Sequence, residues 1–368
     1  HDYTIPDNIK DLACVIVTEN TSEEQAKSNP RATVTEVYDQ VIFPDLERAE
    51  RMLADYARTS KKMPDLSVVY GIAARAYLER GSAGVDGAYQ KAAEYARKAI
   101  TTSGCTPLTQ AQWEDPTTGF NSSTSNSSWM WCTVQTSETV HNLYSFIAHM
   151  STEEDWTNYG KSVCRGINSN LYAEIADDDF RKHSWLDPGL FDYYDYKSCR
   201  PDYQTFFANT LKPLTSIKFR PGQGNYTTYT VGNAVDHPLM RVEEMYLIEA
   251  EATAHYDATT GKSLLQSFMA NRDPAYTVPA ANDLIDEIIF QKRIEFWGEG
   301  VIFYDLKRLN IGMHNGDTGT NAPPMAQLST DGRAPWWNCV FPLNAVQQNK
   351  ALAGKNNPNP TQTVKSVK

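Results

Sequence analysis

Two stretches in the last third of the chain decide how it folds: RVEEMYLIEAEA, Arg241 to Ala252, and EIIFQKRIEFWGEGVIFYDLKRL, Glu287 to Leu309. In the first, Val242, Met245 and Tyr246 share one stripe at helical spacing with Leu247, Ile248 and Ala252 beside it, leaving Glu243, Glu244 and Glu251 for a wet or paired side. The spacing predicts a helix over 241–255. The second helix opens at Asn282 or Asp283, both good caps, and its acidic first turn (Asp283, Asp286, Glu287) suits the positive end of the helix dipole. Gly298 and Gly300 end it. Around that end Arg293, Glu295, Glu299, Asp305, Lys307 and Arg308 alternate in sign among Phe296, Trp297, Phe303 and Tyr304. Such a density of carboxylates has two readings: an acid and base pair for catalysis, or a structural ion-pair network that fixes how two helices cross.

These blocks resemble the SusD/RagB family, and a third joins them: PRATVTEVYDQVIFPDLERAERML, Pro30 to Leu53. The helix from Arg241 is preceded, as in the family, by Lys218-Phe219 and DHPLMR (Asp236 to Arg241). The block from Glu287 is similar to the family's E-R-R-x-E-x-x-x-E-G-x-R-x-x-D-L-x-R, and FPLNAVQQNKAL (Phe341 to Leu352) to its closing segment. Gln291 stands where the family often has Glu, Ile302 where it often has Arg, and Asn344 to Val346 where x-x-E is usual. The resemblance implies a surface lipoprotein of the outer membrane that binds a polysaccharide or oligosaccharide and passes it to a SusC-like TonB-dependent transporter. It also implies a signal peptide, a lipid-bearing cysteine and a helical segment ahead of the Pro30 block. The chain is therefore expected to be a truncated or processed form, its membrane contact made through a missing N-terminal lipid anchor.

With 368 residues, 41% of them hydrophobic, the chain has enough apolar mass for a large core. No apolar run approaches the roughly 18 residues that cross a bilayer. A formal charge of -11 argues against a nucleic-acid partner, which needs a basic surface, and against a strongly anionic ligand. Twenty Tyr and eight Trp exceed what a minimal helical core needs. Flat rings with polar edges suit sugar faces or peptides, and equally a core. The six cysteines are widely spread with no zinc spacing, so some pair in an exported protein or all remain buried thiols. Polar residues, not a signal-peptide core, precede DLAC (Asp11 to Cys14), which is not read as a lipidation box. The GKS triplets at Gly160 and Gly261 lack the upstream glycine of a phosphate loop, and neither protease, hydrolase nor calcium-loop motifs occur. No metal and no cofactor is expected, and no catalytic residue is named.

The fold expected is mainly α: a single SusD-like domain with tetratricopeptide-like helix pairs, long irregular loops and a few short strands. Residues 30–58 read as one long helix; within 30–101, Ser67 to Gly81 and Ala88 to Ile100 have the small and large spacing of a tetratricopeptide pair. Residues 115–235 read as loop-rich and ligand-binding, 236–310 as the signature helices, and 311–368 as C-terminal loops. After the Ser/Thr/Asn-rich loop 115–128, Trp129 is expected to start a helix running to Met150, and Lys218 to Thr230 to form a short hairpin around Pro221 to Asn225.

The segment WLDPGLFDYYDYKSCRPDY, residues 185–203, fits neither period and mixes rings with charges. It reads either as a sugar site or as a hydrophobic cluster beneath a loop. The expected ligand-binding residues are Trp185, Tyr193, Tyr194, Tyr196, Asp192, Asp195 and Arg200, with Trp129 and Trp336 as further rings; core packing is the favoured reading for at least one of Trp129 and Trp131. Three other functions stay open: a peptide-binding member of the same family, a tetratricopeptide-like scaffold for a protein partner, and a hydrolase whose carboxylates are far apart in sequence.

Overall fold

The computed structural model describes residues 11–122, 126–141, 143–156, 158–187, 189, 198–280 and 283–359. Its backbone is mainly helical, with two small antiparallel sheets. Two compact units share the chain: His1–Met52, Phe303–Thr318 and Ala322–Lys368 in the first; Leu53–Ile302 and Gly319–Asn321 in the second.

In the first unit, strand β1 (Leu12–Val15) pairs with β2 (Arg31–Thr33). Arg31 ties the pair to the C-terminal segment, donating to the backbone oxygens of Leu12, Ala13 and Lys355. Thr33 then caps a helical run, α1, of three pieces: Val34–Val37, a π-turn Tyr38–Ile42, and Phe43–Met52. The expected single helix over 30–58 is thus shortened at both ends. Thr33 and Glu36 form a reciprocal capping box that fixes the start, so the residues before it are free to pair as a strand.

The second unit is built on α2 (Leu66–Ser82) and α3 (Ala88–Ser103), the expected tetratricopeptide-like pair. Asp65 caps α2 by accepting from the Val68 amide at 3.2 Å. Ala73, Ala74, Ala92, Ala96 and Ala99 are buried along the contact, and their small side chains let the helices approach closely. Gly81 supports the ring of Tyr89, where an added Cβ would come within 2.6 Å.

Trp129 begins strand β3 (Trp129–Thr133), paired antiparallel with β4 (His237–Arg241), instead of the expected helix to Met150. Aromatic side chains fit a pleated, half-buried surface, and the partner more than 100 residues away decides the matter. Among the described residues of that stretch, only Phe146–Met150 is helical. The hairpin expected over 218–230 is likewise absent: a 3-10 turn at Gly222–Gly224 and a helical turn at Tyr229–Gly232 occupy it. Pro221 lacks the amide a strand ladder needs, and Gln223 sits at φ 56°.

From β4 the chain runs directly into α4 (Val242–Ala254), then α5 (Ala258–Met269) and α6 (Leu284–Glu295). Asp283 caps α6, accepting from the Ile285 amide at 2.8 Å, as its sequence predicts. Gly298 and Gly300 follow at φ 77° and 84°, where a side chain would be strained. Leu247, Ala250, Leu265, Phe268, Ile288 and Phe296 close the core between these helices. The six cysteines form no disulfide.

Candidate functional site

The alternating charges of the signature block collapse into one sealed network. Glu295, fully buried, accepts from Arg272 at 3.0 Å through both oxygens, from Arg241 at 3.2 Å and from Arg181 at 3.2 Å. Glu299 accepts from Arg241 at 2.8 Å and from Lys218 at 2.6 Å. Burial alone would raise the Glu295 carboxyl, but Arg272, Arg241 and Arg181 overcome it and hold it far below the usual carboxylate range. Burial also brings the Lys218 ammonium down to about 8 against the pull of Glu299. Gln291, the departure from the family's usual Glu, accepts from Arg181 and donates to Glu287 at 2.8 Å, a neutral link between two charged neighbours. Glu295 and Glu299 are both held by cations and shut from water, so this part of the network braces the crossing of β4, α4 and α6. It is not placed to act on a ligand.

A different arrangement surrounds Arg200. The stretch 151–156 buries two adjacent carboxylates, Glu153 and Glu154, both fully. Glu153 accepts a forked pair of hydrogen bonds from Arg220 at 2.9 and 2.8 Å and one from Ser198 Oγ at 2.7 Å. That fixes the stretch to the segment carrying Arg200. The Arg200 guanidinium, itself buried, donates to the Glu153 carbonyl at 2.8 Å, to Asp155 at 2.6 Å and to both oxygens of Asp202 at 3.0 Å. It lies over the Phe206 ring at 4.0 Å and near Tyr226 at 4.7 Å. Burial would lower its pKa, but its hydrogen bonds to Asp202 and Asp155 raise it. Those two carboxylates stay about half exposed, 49% for Asp155 and 55% for Asp202. The result is a rigid platform with two oriented acceptors on the surface, backed by aromatic rings, which suits hydroxyl groups.

Glu154, between the paired Glu153 and Asp155, makes no ion pair among the described residues. Its Oε2 accepts from Asn158 at 2.5 Å, and its Oε1 has no hydrogen-bond partner. Burial pushes this carboxyl up to about 7.

Of the residues expected to bind ligand, Arg200 is buried and holds Asp155 and Asp202, neither of which is among the expected ligand-binding residues. Tyr193, Tyr194, Tyr196, Asp192 and Asp195 lie outside the described residues; the described part of their segment resumes at Ser198, on the platform. Trp185 and Trp129 are fully buried and are corrected to core residues. Trp185 packs edge-on against Trp297 at 5.8 Å and Tyr172 at 6.4 Å, and Trp129 joins the cluster of Trp113, Phe120 and Phe219. Neither ring has a face for a sugar. Trp336 is partly buried in a 3-10 turn of the first unit, Pro335–Trp337, whose Trp337 packs on Phe303 at 5.4 Å. The signal that the sequence offered for the rest was the polar run Glu153-Glu154-Asp155, which carries no period and so no direction.

A model of the SusD family matches residues 209–357. No curated protein matches the chain at a significant level. A SusD-like carbohydrate binding protein from Bacteroides vulgatus superposes with a TM-score of 0.68 at 22% identity, over 98% of this chain and 75% of its own. A SusD superfamily protein from Bacteroides thetaiotaomicron gives 0.68 at 18%, over 96% and 72%. Surface glycan-binding protein A from Bacteroides thetaiotaomicron, solved in complex with laminarihexaose, gives 0.60 at 14%, over 89% and 72%. At these identities the likeness establishes the fold.

Proposed function

This chain belongs to the SusD/RagB family, and from that premise we propose that it captures a polysaccharide or oligosaccharide at the outer surface of the outer membrane, without chemistry, and hands it to a SusC-like TonB-dependent transporter. The observation that carries the reading is the Arg200 platform: two half-exposed carboxylates, Asp155 and Asp202, held at fixed positions by one buried guanidinium and backed by Phe206 and Tyr226. Carboxylates accept from sugar hydroxyls, and holding them in advance lowers the entropy lost on binding. Tyr193, Tyr194 and Tyr196, expected from the sequence as stacking rings, lie outside the described residues. A neighbour in fold that binds laminarihexaose supports the ligand class.

Sugars compete with water for every such contact, so retention should be weak for short sugars and grow with chain length. Electrophoresis in native gels cast with neutral and acidic polysaccharides tests the reading, with released reducing ends assayed on the same samples. Retardation by a neutral polysaccharide without release agrees with it. Release of sugar would replace capture by hydrolysis, and retardation by no polysaccharide would count against the glycan.

A further inference from the structure

The second unit holds a separate cavity of about 880 Å³, lined by the end of α5, the turn after it, one face of α6 and residues 174–179. That volume lies within the range of small-ligand sites, roughly 300–1,000 Å³. None of its lining residues belongs to the Arg200 platform.

Six carboxylates reach it: Glu174, Asp179, Asp273, Asp283, Asp286 and Glu287. Four are occupied. Asp179 is held by Arg181 at 2.6 Å, and Glu287 accepts from Tyr276 at 2.7 Å and Gln291 at 2.8 Å. Asp273 and Asp283 each accept a backbone amide of their own turn at 2.8 Å. Glu174 and Asp286 have no side-chain hydrogen bond or ion pair among the described residues.

The single guanidinium of the lining is Arg293; other partly or fully buried cations of this unit meet carboxylates or, like Lys61, Lys161 and Arg165, donate to backbone carbonyls. Arg181, Lys218, Arg220, Arg241, Arg272 and Lys292 all meet carboxylates within 3.3 Å. Arg293, partly buried, makes no hydrogen bond or ion pair among the described residues; burial lowers its pKa and only the more distant charge of Glu174 opposes that. A desolvated guanidinium facing an open space lacks acceptors that an occupant would supply. The surplus of carboxylates repels an anionic occupant. Phe290, three residues before Arg293 and so on the same face of α6, adds a ring to the lining.

We propose that this cavity binds a neutral, hydroxyl-rich molecule, a short saccharide, whose oxygens accept from Arg293 and whose hydroxyls donate to Glu174 and Asp286 beside Phe290. The choice of a saccharide rests on the glycan reading above; the place and the polarity of the site do not.

The test is isothermal titration of the full chain with maltohexaose, cellohexaose and laminarihexaose, and with an oligogalacturonate as the anionic counterpart, for the wild type and for Arg293→Met and Glu174→Gln. Circular dichroism melts confirm that the variants fold. The expected result is binding of at least one neutral hexasaccharide, weakened about tenfold or more by Arg293→Met and less by Glu174→Gln, with no heat from the oligogalacturonate. An Arg293→Met isotherm identical to that of the wild type overturns the site, as does tighter binding of the oligogalacturonate. If polysaccharide gels retard the wild type while no hexasaccharide gives heat or the isotherms coincide, the cavity falls and the platform stands. Absence of both retardation and heat brings down both.

Discussion

Arg241 and Arg200 are both buried arginines gripped by carboxylates, yet they hold opposite kinds of surroundings. Around Arg241 the acceptors Glu243, Glu295 and Glu299 are themselves sealed, each side chain no more than 2% exposed. Around Arg200 the acceptors Asp155 and Asp202 face water. The same pairing chemistry therefore braces a helix crossing in one place and leaves its acceptors open to water in the other. What distinguishes them is the exposure of the anion, which sets whether a lost partner is felt as stability or as binding.

The largest effect should come from the sealed side. Glu295→Ala leaves Arg272, Arg241 and Arg181 without their shared anion and should destabilise the protein by about 3–5 kcal/mol in urea unfolding, the range for breaking a buried pair. A loss under about 1 kcal/mol would mean that water reaches the network. Trp185→Ala should cost about 3–5 kcal/mol by opening a cavity against Trp297 and Tyr172. A variant that melts like the wild type and loses glycan retention would return that ring to the ligand site.

The next effect is one of pH. Glu154 titrates at about 7 in the fold against an ordinary 4.5, so the folded protein holds a proton that the unfolded chain releases. Its contribution is complete below about pH 4.5 and is lost as pH rises through 7, on the order of 3 kcal/mol in all. Unfolding free energies of the wild type and Glu154→Gln, measured from pH 4.5 to 8, should therefore diverge by about that much in favour of the variant at the alkaline end. Parallel curves would place Glu154 in contact with solvent or a cation.

The smallest stability change is expected on the open side. Asp155→Ala and Asp202→Ala should each shift stability by less than about 1 kcal/mol, because their salt bridges are half exposed. Their effect should instead appear as weaker retention of polysaccharide.

The sealed side was legible in the sequence and the open side largely was not. Helical spacing of Val242, Met245 and Tyr246 marked α4, and Asp283 with Gly298 marked the two ends of α6, because caps and period are local signals. The alternation of Arg293, Glu295 and Glu299 suggested ion pairs, though Arg293 makes none among the described residues. Trp129 in a strand and Trp185 in the core depend on partners far along the chain: β4 for one, Trp297 for the other. Arg200 meets Asp155 across 45 residues with no period to announce it. An aromatic, charged segment announces that rings and charges will meet something, but only the fold separates the buried Trp185 from the surface around Asp202.

The most direct test of the platform as a glycan-capturing surface is the retardation of Asp155→Ala/Asp202→Ala in a native gel cast with the polysaccharide that retards the wild type, run beside a thermal melt of both proteins. The account predicts that retardation is weakened several-fold while the melting temperature moves by no more than a few degrees. Unchanged retardation in a folded double variant would contradict it.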